Sequence, residues 1–194
     1  VAHKGAVRWR ICTHGVSCHS STPERGVNAI YLMRRVLAAI EGPLTERLNR
    51  KRHPDLGRPT VNVGIIRGGS QVNMVPARCC IEVDRRLLPD ESAESARAQI
   101  DYELQKLAEE DGTFECIVER IEYYPPFEQA PDAPIIKAAG AACEGALGFC
   151  RETTAPFATN AGVLAGAGIP CVVLGPGAAE QAHTNDEHIE LAQV

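Results

Sequence analysis

Val7, Trp9 and Ile11 alternate with polar neighbours within residues 3–13, a period of two that predicts a half-buried strand. After a loop over residues 15–26, Ile30, Met33, Leu37 and Ile40 recur at helical spacing, and Gly42-Pro43 is expected to stop that helix. Polar residues 45–58 read as a loop with a helical turn. Residues 60–66 are rich in β-branched side chains and end at Gly68-Gly69, a second strand. Cys79, Ile81 and Val83 alternate with Arg78, Glu82 and Asp84 to give a third. Pro89-Asp90-Glu91 is expected to open another helix, its acids suited to the positive end of the helix dipole. The apolar stripe of that helix is Ala96, Ile100, Leu104 and Leu107, and Asp111-Gly112 closes it. Residues 114–123 form a fourth strand, ended by Pro125-Pro126.

The order strand, helix, strand, strand, helix, strand is the split βαβ pattern of ferredoxin-like sandwiches. It predicts an α+β domain over residues 1–125, with two helices on one face of a four-stranded antiparallel sheet. The open face or an edge strand is left for a partner. Residues 125–134 hold four of the 13 prolines and read as a linker. Beyond it the composition shifts to an Ala/Gly-rich helix over 135–147 and a short one over 161–167. Residues 169–174 are a continuous apolar run that suits a strand buried on both faces of an α/β sheet. Residues 126–194 are too few for a doubly wound domain and are expected to be an incomplete α/β segment of something larger.

Apolar content of 44% is enough to build a core. A net charge of −5 without a basic cluster argues against nucleic acid as a partner, Arg47–Arg52 reading as a solvated helix end. No apolar run approaches the roughly 20 residues of a membrane span, so no membrane partner is expected. No charged-then-apolar leader opens the chain, which with the cysteine usage sets a cytoplasmic expectation. The eight cysteines, at 12, 18, 79, 80, 116, 143, 150 and 171, contain no C-x-x-C pair and read as small buried thiols in preference to the alternative of a disulfide or zinc–cysteine site. Cys79 and Cys80, adjacent on a strand, point to opposite faces.

Two histidines sit in turns rich in Gly, Ser and Pro, where backbone can approach a small ligand. His183 follows the Gly175-Pro176-Gly177 turn at the end of the apolar run, the crevice position at which open α/β sheets place ligands. A neutral imidazole there suits zinc, and the alternative from spacing alone is an exposed loop histidine bonded to its neighbours. His188 and Glu187 read as solvated or supporting groups. His19, between Cys18 and three hydroxyl residues, reads as an imidazole presented to a substrate carbonyl or as a turn histidine. Asn73, after Gly68-Gly69, can donate to a carbonyl or close a hairpin. Alternation puts Arg86 on the Glu82/Asp84 face and Arg85 on the apolar one. Arg86 suits a bidentate carboxylate contact, or an ion pair with Asp84.

Three motifs together resemble the M20 family of metallopeptidases, which includes acetylornithine deacetylase, succinyl-diaminopimelate desuccinylase, carboxypeptidase G2, aminoacylases and N-carbamoyl amidohydrolases. Gly15-x-x-x-His19-Ser20-x-x-Pro23-x-x-Gly26-x-Asn28-Ala29 is similar to the opening of the family's lid, or dimerisation, domain. Gly68-Gly69-x-x-x-Asn73-x-Val75-Pro76 with Asp84-x-Arg86-x-x-Pro89 resembles its central signature. Gly175-Pro176-Gly177 with Ala182-His183-Thr184-x-Asp186-Glu187 resembles its C-terminal one. The resemblance implies a homodimer joined through a lid helix and edge strand, with residues 126–194 belonging to the catalytic domain. It makes His183 a zinc ligand and places His19 in the other subunit's active site, as a donor to the oxyanion. Asn73 assists across the same interface, Arg86 binds a substrate carboxylate, and Asn160 and Gly177 are counted with the substrate-binding residues.

The departures matter as much. The family holds two metal ions with a His-x-Asp motif, a bridging Asp and a Glu-Glu pair that precede the lid, and none stands before Gly15. The one Glu-Glu, Glu109-Glu110, lies at a helix end, and Asn160 stands where the family often has aspartate. The expectation is part of a zinc-dependent amidohydrolase (two zinc ions in the complete enzyme, at most weak binding here) acting on N-acyl amino acids or small peptides with a free carboxylate. The 194 residues alone are expected to be inactive. The alternative is a non-catalytic dimerisation or ligand-binding module.

Overall fold

A computed structural model describes residues 1–177, 181 and 184–191. Its larger unit is the expected sandwich. Strands β2 (Gly5–His14), β3 (Thr60–Gly68), β4 (Arg78–Leu87) and β5 (Glu115–Tyr124) form an antiparallel sheet in the order β3-β4-β2-β5. Helices α1 (Ala29–Ala39) and α3 (Ala93–Glu110) pack together on one face. The core lies between these layers: Val7, Trp9 and Ile11 of β2 and Ile81, Val83 and Leu87 of β4 meet Met33 and Val36 of α1 and Ala96 and Ile100 of α3. Truncating one such side chain to alanine costs about 2–5 kcal/mol.

Local chemistry sets the helix ends. Asn28 caps α1, its Oδ1 accepting from the amides of Ile30 (2.9 Å) and Tyr31 (3.3 Å). The expected stop at Gly42-Pro43 is corrected. The helix widens into a π-helical turn (Ile40–Leu44) and continues as α2 (Thr45–Asn49). Pro43 has no amide to donate to the preceding turn, and the Ile40 carbonyl accepts from the Thr45 amide and, at 2.7 Å, from the Thr45 hydroxyl. The second helix also begins later than expected, at Ala93, capped by reciprocal Ser92 and Ser95 side-chain bonds. Asp90 and Glu91 serve other partners: Asp90 pairs with Lys51 at 2.9 Å, and Glu91 is buried against Arg85.

The reading of eight reduced thiols is corrected too. Cys12 and Cys80 face each other on β2 and β4 with Cα atoms 4.1 Å apart and form a disulfide. That spacing belongs to the close class of antiparallel pair, in which facing side chains come nearest. The other six cysteines are free, and burial pushes the Cys116 thiol up to about 11.

A second unit begins with a small sheet. Strand β1 (Ala2–His3) pairs antiparallel with β6 (Phe127–Glu128) and parallel with β7 (Thr154–Ala155). Helix α4 (Pro134–Leu147) lies between these partners in sequence, and α5 (Ala161–Gly166) follows. The first residues are thus woven into the strands that follow the linker. Gly162 of α5 packs so closely on the linker that a Cβ there would meet the Pro125 carbonyl oxygen at 2.1 Å. Residues 169–174, expected as a buried strand, are irregular. Ile169, Val173 and Leu174 are about half exposed or more, because no described strand pairs with them. Among the described residues no helix is long and apolar enough to cross a membrane.

Candidate functional site

The loop after β2 and the loop between β3 and β4 are stitched together at one end of the sheet. The Ser20 amide donates to the Asn73 carbonyl at 3.0 Å, the Val75 amide donates to the Cys18 carbonyl at 2.9 Å, and His19 bridges to Met74. Behind them the Gly15 amide donates to Ala77 at 2.9 Å, and a Cβ on Gly15 would collide with the Val27 carbonyl oxygen at 2.0 Å. Only glycine lets the chain turn this tightly out of β2. His19 and Asn73, distant in sequence, are thereby brought together, and both are exposed.

The imidazole of His19 is oriented from one side. Its Nδ1 accepts from the Ser21 amide at 3.2 Å and lies 2.8 Å from the Ser21 hydroxyl. An Nδ1 that accepts places the proton of the neutral ring on Nε2, so the outward nitrogen is a donor. A donor fixed by its own loop and projecting from the lid suits an oxyanion that forms on a substrate.

Arg86 lies at the opposite end of the sheet. On β4 it is eight residues from Arg78, where the His19 loop is rooted, a separation of about 25 Å at the rise of a strand. Its guanidinium is paired with Asp84, Nε to Oδ1 at 2.7 Å and Nη2 to Oδ2 at 3.4 Å, and Asp84 also accepts from Arg8. Arg85 turns the other way, as alternation requires, into the core. It is 1% exposed, donates to Glu91 at 2.8 Å and has its pKa lowered chiefly by burial.

Asn160 is exposed at the start of α5 and makes no capping bond there. Its neighbour Thr159 holds a histidine that sequence reasoning missed. His3 is 1% exposed, and its Nε2 accepts from the Thr159 amide (3.3 Å), with the Thr159 hydroxyl 3.0 Å away. Nδ1 is 3.0 Å from the Lys4 carbonyl, so it carries the proton. The signal available in sequence was a histidine inside an apolar strand start, which is ambiguous without its distant partner. Gly177 has φ of +88°, the left-handed region that favours glycine. His183 lies outside the described residues. His188 is exposed, its Nδ1 2.8 Å from the Asp186 carbonyl. Among the described residues no group of three or more His, Cys, Asp or Glu side chains could hold a metal ion.

Residues 1–112 match the profile of the M20 family described as a peptidase dimerisation domain. The chain belongs to the M20 family. Acetylornithine deacetylase of Vibrio cholerae serotype O1 is 34% identical over 194 aligned residues, 97% of this chain and 49% of that protein. Acetylornithine deacetylase of Buchnera aphidicola subsp. Schizaphis graminum is 30% identical over 193, covering 98% and 49%. The chain spans about half the length of the curated relatives it matches. Among solved structures, aminopeptidase PepT from Bacillus cereus superposes with a TM-score of 0.68 at 26% identity, over 88% of this chain and 43% of that one. A tripeptidase from Staphylococcus aureus, at 22% identity and a TM-score of 0.64, covers 88% and 43% and shares the fold. The M20 dimerisation domain is thus the sandwich that carries His19 and Asn73.

Proposed function

We propose that this chain supplies the lid and part of the catalytic domain of an M20 amidohydrolase that cleaves N-acyl amino acids or small peptides with a free carboxylate. The observation that carries the reading is the joined His19–Asn73 loop pair, a fixed donor held at the opposite end of the sheet from Arg86.

That separation fits a two-fold dimer through the β3 edge. The free edge carries Ile65 and Ile66, 41% and 55% exposed, and α1 beside it exposes Ile30 and Tyr31. Two β3 strands paired antiparallel around Gly64 set Thr60 of one chain beside Gly68 of the other. Thr60 is the β4 partner of Arg86, so Arg86 comes within two strand spacings, about 10 Å, of the other chain's Gly68. The loop that follows Gly68 carries Asn73. One chain's arginine and the other's His19 and Asn73 then flank a single substrate, Arg86 holding its carboxylate and the donors facing the scissile carbonyl.

The described residues do not by themselves fit a metal pair. Two zinc ions, with His183 as a ligand, are inferred from the family, and no step is drawn through them. In this reading the remaining ligands and the general base come from residues outside these 194, and the chain alone is inactive.

The test is a hybrid in which these residues replace the matching half of the Vibrio cholerae acetylornithine deacetylase, assayed against N-acyl amino acids. Hydrolysis that falls about 100- to 1,000-fold on His19→Ala, with the dimer intact, is the expected result. A folded, metal-loaded, dimeric hybrid that hydrolyses none of them overturns the proposal.

A further inference from the structure

The open face of the lid sheet holds a feature that the proposed hydrolysis does not use. Cys80 lines a depression of about 410 Å³ with Arg10, Arg67, Arg78 and Glu82, and Ile65 and Gly68, which the proposed dimer places at its seam, form its border on β3. That volume is in the range of small-molecule sites, roughly 300–1,000 Å³. Arg10 is paired with Glu82 at 3.0 Å, but Arg67 and Arg78 have no carboxylate partner among the described residues. Both are exposed, and pairing places Arg67 directly across from Cys80, with Arg78 two residues before it on the same face. Two arginines without a carboxylate partner among the described residues thus border the depression that Cys80 lines. The other sulfur, of Cys12 (4% exposed), does not line the depression and accepts from Nη2 of Arg78 at 3.4 Å.

We infer that this depression is a thiol–disulfide exchange site for a small anionic thiol, one bearing carboxylates of the glutathione kind, with Cys80 as the attacked sulfur. The ligand's carboxylates dock on Arg67 and Arg78. Its thiolate attacks Cys80 Sγ; the new sulfur–sulfur bond forms as the Cys12–Cys80 bond breaks, and the electron pair leaves on Cys12 Sγ. The departing thiolate faces the Arg78 guanidinium, which offsets its charge, and it takes a proton from water. A second ligand thiolate attacks the ligand sulfur of the mixed disulfide and releases Cys80. Two ligand thiols are oxidised to one ligand disulfide, and the protein disulfide is reduced to two thiols.

The experiment compares reduction of the oxidised chain by glutathione, whose reacting thiolate form carries two carboxylates and net negative charge, and by cysteamine, whose reacting thiolate form has no carboxylate and is a net-neutral zwitterion, at equal thiolate concentration. Acid quenching and peptide mapping report loss of the Cys12–Cys80 bond and the position of any mixed disulfide. Glutathione is expected to react about 10-fold faster or more, with its adduct on Cys80. In 1 M salt, where the screening length is about 3 Å, that ratio falls towards one. The same collapse is expected in the Arg67→Gln/Arg78→Gln variant. Because Arg78 acts on the leaving sulfur equally for both thiols, the ratio isolates docking. Equal or faster reaction with cysteamine overturns the inference, as does a ratio unchanged by the double substitution, an adduct on Cys12, or free thiols at both cysteines in the air-exposed chain. Circular dichroism checks the variant's fold, and should it fail to fold the salt titration of the unmodified chain decides.

Discussion

Ser20 donates its backbone N–H to the Asn73 carbonyl at 3.0 Å, so the loop that presents His19 and the loop that presents Asn73 are joined directly through the backbone. The imidazole gains its orientation from Ser21, whose amide and hydroxyl both lie at Nδ1. In an active hybrid enzyme, Ser21→Ala is expected to lower kcat about 10-fold with little change in KM. The amide bond to Nδ1 survives while the hydroxyl contact is lost, and the expected size follows the lower end of the roughly 10- to 100-fold effect of groups that orient metal-ligating histidines. Steady-state kinetics decide it. A rise in KM at constant kcat would assign Ser21 to substrate binding instead.

Ile65 and Ile66 sit on an edge strand beside Ile30 and Tyr31, an exposed apolar border that a monomer would leave in water. Ile66→Lys adds a charge two residues from the centre of the proposed dimer seam, at a side chain that is 55% exposed. Sedimentation velocity is expected to show a dimer for the unmodified chain and a monomer for the variant, with unchanged far-UV circular dichroism. A monomer in both cases at high micromolar concentration removes the basis for placing His19 in a partner's site.

Most of the sandwich was legible because its signals are local. Period-two alternation in β2 and β4 and period-3.6 stripes in α1 and α3 report burial directly, and glycine turns mark the ends. What escaped depends on distant partners. Cys12 and Cys80 are separated by 68 positions, and only the β2–β4 register makes them opposite. Glu91 resembled a helix-opening acid until the fold brought Arg85 onto it. The run 169–174 read as a buried strand because apolarity was taken to imply sheet neighbours, and the described residues supply none. Of the candidate site, the joining of the His19 and Asn73 loops was implied only by resemblance, whereas the Arg86–Asp84 pair was open to reading from alternation alone.

Arg85 and Glu91 form a pair in which both side chains are 1% exposed. Glu91 also accepts from the Leu88 amide at 3.0 Å, so it closes the turn between β4 and α3. Removing one partner strands a charge in the core. Glu91→Ala is expected to cost about 3–5 kcal/mol, read as a lower midpoint in urea denaturation. The double variant Arg85→Met/Glu91→Leu is expected to recover much of that loss, since neither charge then remains. A double variant no more stable than Glu91→Ala would show that the amide bond to Leu88 and the 3.6 Å contact with Lys51, not the pair with Arg85, dominate.

His3 ties the first strand to the Thr159 turn while buried and neutral, and burial, opposed by its contact with the Lys4 carbonyl, lowers its pKa from the ordinary 6.5. The folded state therefore binds this proton less readily than the unfolded state. Stability from His3 is complete above the unfolded value and declines as pH falls through about 6.5 towards the folded value, levelling off below it. Protonation puts a hydrogen on Nε2, which can no longer accept from the Thr159 amide, so the loosened contact is the one joining β1 to the start of α5. Urea midpoints at pH 7, 6 and 5 are expected to fall more steeply for the unmodified chain than for His3→Gln, which cannot be charged. The variant is expected to start lower at pH 7, because glutamine does not reproduce both bonds, and the two curves should converge towards pH 5. Parallel curves over that range would mean that other groups carry the acid sensitivity and that His3 is a packing residue only.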